Sequence, residues 1–122
     1  MSKSNLNLIV QRNITTLTFD CYGTLVDWER GVATAVREIL GRRNVSVSED
    51  NLIRAFLKAD ADFIAKKLMP YSEVLSSAIR HACASFGIDL DRSETENFVG
   101  TLPSWPIFPE TNSALERLSQ RY

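Results

Sequence analysis

Within "TLTFDCYGTLVDWERG" (residues 16–31), one carboxylate, Asp20, ends an apolar run and is followed at once by a turn. Aspartate can act as a covalent nucleophile, splitting one hard displacement into two easier ones. The residues after it are of the types such a step needs. Gly23 lets the backbone turn sharply and brings peptide amides close to an anionic substrate. The Thr24 hydroxyl can orient the carboxylate or bind that anion, and Tyr22 adds a phenol to the same turn. The same spacing also describes a strand-ending Asx-turn with Gly23 as punctuation, and the residues by themselves leave both readings open. Trp28, just beyond the turn, either walls a cleft or packs at a hinge.

Periodicity names the elements that must carry this turn. Residues 14–19 are β-branched and aromatic without clean alternation, which predicts a strand buried on both faces, as in a parallel sheet. A carboxylate at the carboxyl end of such a strand lies where open α/β sheets place their ligands. After the turn the period changes to 3.6. Asp27 as cap and Val32, Val36, Ile39 and Leu40 predict a helix ending near Gly41. Ser46 or Ser48 caps a second helix, whose stripe is Leu52, Ile53, Phe56, Leu57, Phe63, Ile64 and Leu68. Pro70 suits the first turn of a third, with Val74, Leu75, Ala78, Ile79, Ala82 and Phe86 as its stripe and Gly87 after its end. Ser93-Glu94-Thr95-Glu96 reads as a capping box for a short helix to about Leu102. "PSWPIFP" (103–109) is a rigid extended connector, and a last helix starts near Glu110.

Composition narrows the partners. The chain has 122 residues, 14 basic and 15 acidic, for a formal charge of -1. That balance gives no electrostatic case for nucleic acid or an anionic membrane. No apolar run approaches the roughly 20 residues that span a bilayer, and "MSKSNLNLIVQRN" is not a secretory signal. Cys21 and Cys83 form no CxxC motif, so the expectation is a reduced, cytoplasmic protein. The single histidine, His81, falls off its helix's stripe and supports no His-based triad or metal site. Asp60 lies on or beside its helix's stripe, either facing a site or paired with a nearby base.

With these residues in view, "FDCYGTLVD" resembles the first motif of the haloacid dehalogenase superfamily. Tyr at its third position is similar to the type II L-2-haloacid dehalogenase branch. "PYSEVLSSAI" (70–79) resembles a cap-domain helix of these proteins, and "WPIFPETNSALERL" (105–118) the return from cap to core. The resemblance spans residues 14–122. It implies that Asp20 is the nucleophile and that Thr24 lies near its carboxylate. It implies that Tyr22 replaces the acid/base Asp of phosphatase members, and that Arg54 is the nearest match to the halide-receiving Arg of the cap. A phosphate ester leaves as a poor alkoxide and gains from protonation, whereas a halide needs no acid. Tyr22 therefore tips the expected chemistry toward dehalogenation.

The expected fold is α/β, a Rossmann-like core represented by its first strand, with an inserted, mostly helical cap. The expected domains are 1–27 (strand and nucleophile loop), 28–104 (cap) and 105–122 (return segment and core helix). One strand cannot satisfy its own backbone groups. The chain is thus expected to be the front part of a larger hydrolase, inactive alone and able to pair as a homodimer. Leu6–Val10 as a second short strand is the rival reading. The expected substrate is a 2-haloacid, with Asp20 and Thr24 catalytic and Tyr22, Gly23, Trp28 and Arg54 binding it, without a cofactor. The alternatives are a phosphate ester, with Mg2+ held by Asp20 and the Tyr22 carbonyl, or an inactive chain that acts through binding.

Overall fold

The computed structural model describes residues 14–122, so the Leu6–Val10 strand of the rival reading lies outside the described residues. The described residues fall into two compact units: Trp28–Pro106, and residues 14–27 together with Ile107–Tyr122.

The first of these is helical. It comprises α1 (Trp28–Gly41), α2 (Glu49–Lys66), α3 (Tyr71–Ala84), α4 (Arg92–Gly100) and a 3-10 turn, Leu102–Ser104. Several helix ends have a local reason. The Ser48 hydroxyl accepts from the Asn51 N–H (3.2 Å) and so caps α2. Pro70 disfavours helical backbone at the residue before it, and α2 has ended by Lys67, which is extended. Gly87, at φ 73°, follows α3 in the left-handed region, and the Ile88 N–H reaches back to the Cys83 carbonyl at 2.9 Å. The capping box of α4 runs from Asp91 to Glu94, two places before the Ser93–Glu96 box that the sequence suggests.

Helical stripes meet in one core. Val32, Val36 and Ile39 of α1, Leu52 and Phe56 of α2, Leu75 and Ile79 of α3, and Phe98 of α4 are all buried. The Phe56 and Phe98 rings pack edge to face at 5.5 Å. The expected stripe of α2 is too long: Ile64 is exposed, and Leu68 lies past the helix end and is 99% exposed. Phe86, expected on the α3 stripe, is exposed as well.

Polar contacts tie the helices together at their ends. Arg37 of α1 grips Glu49 at the start of α2 with two hydrogen bonds of 2.8 and 3.1 Å. Arg43 donates to the Ile39 carbonyl near the end of α1 and to both carboxylate oxygens of Glu94, at 2.6 and 2.7 Å. A cation thus sits at a helix C-terminus and an anion in the first turn of α4, where the helix dipoles favour each. Trp105 closes the unit. Its indole N–H donates to Thr101 Oγ1 at 3.0 Å, and its ring lies directly on the backbone of Gly31 in α1.

The second unit contains the 22–25 turn and α5 (Thr111–Ser119). Here the expected α/β fold is overturned. The described residues hold five α-helices and no strand. Residues 14–21 form no ladder, and pairing is limited to two isolated bridges, Tyr22 with Val26 and Val26 with Ile107. The physical reason is a lack of neighbours. β-branched residues favour a strand when a pleated, paired surface exists to receive them. Here Thr15, Thr16, Thr18 and Phe19 are exposed rather than sandwiched. Leu17 and Phe19 instead line a groove with Leu115, Leu118 and Tyr122 of the C-terminal segment.

Candidate functional site

The turn after Asp20 is built on one carbonyl. The Cys21 C=O accepts the N–H groups of Leu25, Val26 and Thr24 at 2.8, 3.0 and 3.2 Å. The Gly23 N–H points the other way, to the Val26 carbonyl at 2.8 Å. That reversal needs a positive φ, and Gly23 has 88°, a conformation in which a side chain would be strained.

This curl holds the Asp20 carboxylate from two sides. Oδ1 accepts the Cys21 N–H at 2.9 Å, and Oδ2 accepts the Thr24 hydroxyl at 3.3 Å. Asp20 remains exposed, as a group that must meet a substrate has to be. Its two oxygens are oriented while retaining lone pairs for an electrophile. Tyr22 is on the same turn. Partial burial first, and the Cys21 charge second, raise its phenol above the usual value of 10.0. The phenol is therefore protonated at neutral pH and is a weaker acid than a free tyrosine.

The base of the turn is anchored from the C-terminal segment. The Leu25 carbonyl accepts the Phe108 N–H at 3.2 Å and the Thr111 hydroxyl at 2.8 Å. Nothing in the sequence pattern flagged Thr111; its spacing from the motif carries no periodic or motif signal.

Asp20, Tyr22, Gly23 and Thr24 are thus brought together on one short turn. Trp28 and Arg54 belong to the helical unit: Trp28 opens α1 and is half-buried, and Arg54 is exposed on α2. Asp60 of α2 has no base on its buried oxygen, against the pairing the sequence suggests. Among the described residues, Oδ1 is buried without a hydrogen-bond partner, and burial raises the carboxyl's pKa. Cys21 is exposed and Cys83 buried, and both thiols are free.

For a metal, the donors near Asp20 are few. Among the described residues no group of three or more His, Cys, Asp or Glu converges. Asp20 and the Tyr22 carbonyl would supply two donors of the near-octahedral oxygen set of Mg2+, which ordinarily keeps several waters. Among the described residues no helix is long and apolar enough to cross a membrane. No protein-family model matches this chain, and no curated protein matches it.

Proposed function

We propose that this chain carries the nucleophile of a hydrolase that displaces halide from a 2-haloacid. The reading rests on one observation, the exposed Asp20 carboxylate held by the Cys21 N–H and the Thr24 hydroxyl. Its likeness to the first motif of the haloacid dehalogenases adds to that. In the proposed step an Asp20 oxygen attacks the carbon bearing halogen, the carbon–halogen bond breaks, and the halogen leaves as halide with the bonding electrons. Water then adds to the side-chain carbonyl of the aspartyl ester. The 2-hydroxyacid departs with inverted configuration, a proton is released, and the carboxylate is regenerated. Halide needs no proton to leave, which suits a turn whose nearest phenol is a weakened acid. The two free cysteines suit a reducing compartment such as the cytoplasm.

The test is halide release from 2-chloropropionate by the full-length protein, set beside p-nitrophenyl phosphate with magnesium. Asp20→Asn is expected to abolish halide release. A single turnover in 18O-labelled water is expected to place label in the Asp20 side chain, because water attacks the ester carbonyl. Phosphate release with no halide release would replace the reading by a phosphatase. Silence in both assays would remove small-molecule hydrolysis.

A further inference from the structure

We infer that Thr111 is a positioning residue for the Asp20 turn, an inference that rests on the proposed role of Asp20. Thr111 and Thr95 are the two buried polar residues among those described. Thr95 uses its hydroxyl locally, donating to the Asp91 carbonyl four residues back. Thr111 does not. It is the first residue of α5, where a threonine hydroxyl commonly serves its own helix end. Its hydroxyl instead reaches the Leu25 carbonyl, 86 residues earlier in the chain, at 2.8 Å.

The Leu25 carbonyl has two lone pairs. The Phe108 N–H takes one and the Thr111 hydroxyl the other, so the oxygen is saturated by donors from the C-terminal segment. Leu25 directly follows Thr24, whose hydroxyl donates to Asp20 Oδ2 at 3.3 Å. Fixing the Leu25 peptide therefore fixes the backbone from which Thr24 reaches the carboxylate. The adjacent Val26–Ile107 bridge holds the next residue in the same way. Thr24 orients the nucleophile directly; Thr111 acts one step behind it.

The conservative pair Thr111→Val and Thr111→Ser separates this role from bulk packing. Valine keeps the shape and loses the hydroxyl, and serine keeps the hydroxyl. Amide hydrogen exchange on the intact chain is the first readout. Thr111→Val is expected to speed exchange at the Thr24, Leu25 and Val26 amides about tenfold, the effect of one lost buried hydrogen bond. The amides of α2 and α3 are expected to keep their wild-type rates, and Thr111→Ser to restore the turn. Turnover of 2-chloropropionate by the full-length protein is the second readout: kcat falls in Thr111→Val with KM little changed, and Thr111→Ser recovers it. Equal acceleration of all amides, or unchanged exchange in the turn, would overturn the inference. A local exchange effect in a wild type that releases no halide would uphold the anchoring and discard the reaction.

Discussion

Gly31→Ala is the most demanding substitution the helical unit offers. A Cβ built at Gly31 lies 2.4, 2.6 and 2.8 Å from Trp105 Cγ, Cδ1 and Cδ2. Carbon atoms settle at about 3.5–4.0 Å, so the indole has to retreat by roughly 1 Å. It cannot do so freely, because it is buried and its N–H is bonded to Thr101. Overpacking of this kind costs about 1–3 kcal/mol, and the strained indole hydrogen bond about 1 more. Alanine returns at most about 1 kcal/mol of helix propensity in the first turn of α1. The net expectation is a loss of about 2 kcal/mol, or a fall in Tm of roughly 8 °C for a chain of this size. Gly100→Ala is the internal control. Nothing lies within 4 Å of its added methyl, and it is expected to be neutral or stabilising by up to about 1 kcal/mol. Urea titrations followed by far-UV circular dichroism measure both. A Gly31→Ala protein as stable as the Gly100→Ala protein would refute the packing of Trp105 on α1.

Three further outcomes follow from the charged and nucleophilic groups. The Arg43 hydrogen bond first, and the Asp91 backbone second, lower the Glu94 carboxyl below its ordinary 4.5. The stability they confer is full above that value and vanishes as pH falls through the lowered one, so Arg43→Met should flatten the acid limb of a Tm-against-pH curve. Asp60 has the opposite sign. Its raised pKa means that the ionised form opposes folding above the folded value and that the penalty is gone below the unfolded one. Asp60→Asn is expected to raise stability at pH 7 and to change it little at pH 3, read by urea titration at both. Burial pushes the Cys83 thiol up to about 11, so a chromogenic disulfide reagent at pH 8 should titrate Cys21 alone in native protein, and both thiols in urea.

The helices were legible because an apolar stripe at period 3.6 is a burial signal, and the buried residues of α1 and α3 follow it closely. The stripe of α2 misled at Ile64 and Leu68, because hydrophobicity marks a capacity for burial and not the presence of a partner. The α4 box was misplaced because Asp91-x-x-Glu94 and Ser93-x-x-Glu96 satisfy the same pattern; Arg43 clamps Glu94, which favours the first. Residues 14–19 carried a strand's composition, yet a strand exists only by pairing, and pairing is non-local. In the site, the Asp20–Thr24 relation was readable from four-residue spacing. The grip of Thr111 on Leu25 was not, since a contact across 86 positions leaves no trace in local pattern.

The packing of Trp105 on Gly31 also bears on the order of folding. The turn and α5 meet through contacts such as Leu25–Thr111, 86 positions apart in the chain. Closing a loop of that length from a disordered chain costs about 2–3 kcal/mol more than closing one of a few residues. The helical unit is that intervening chain, and it brings its own first and last turns into contact at Gly31 and Trp105. Once it has formed, Leu25 and Thr111 are tethered by a few residues on either side of a closed knot of helices. Helix collapse is therefore expected to precede and speed assembly of the Asp20 turn, and Gly31→Ala to slow the turn's acquisition of protection in a pulse-labelling experiment as well as lower the melting point.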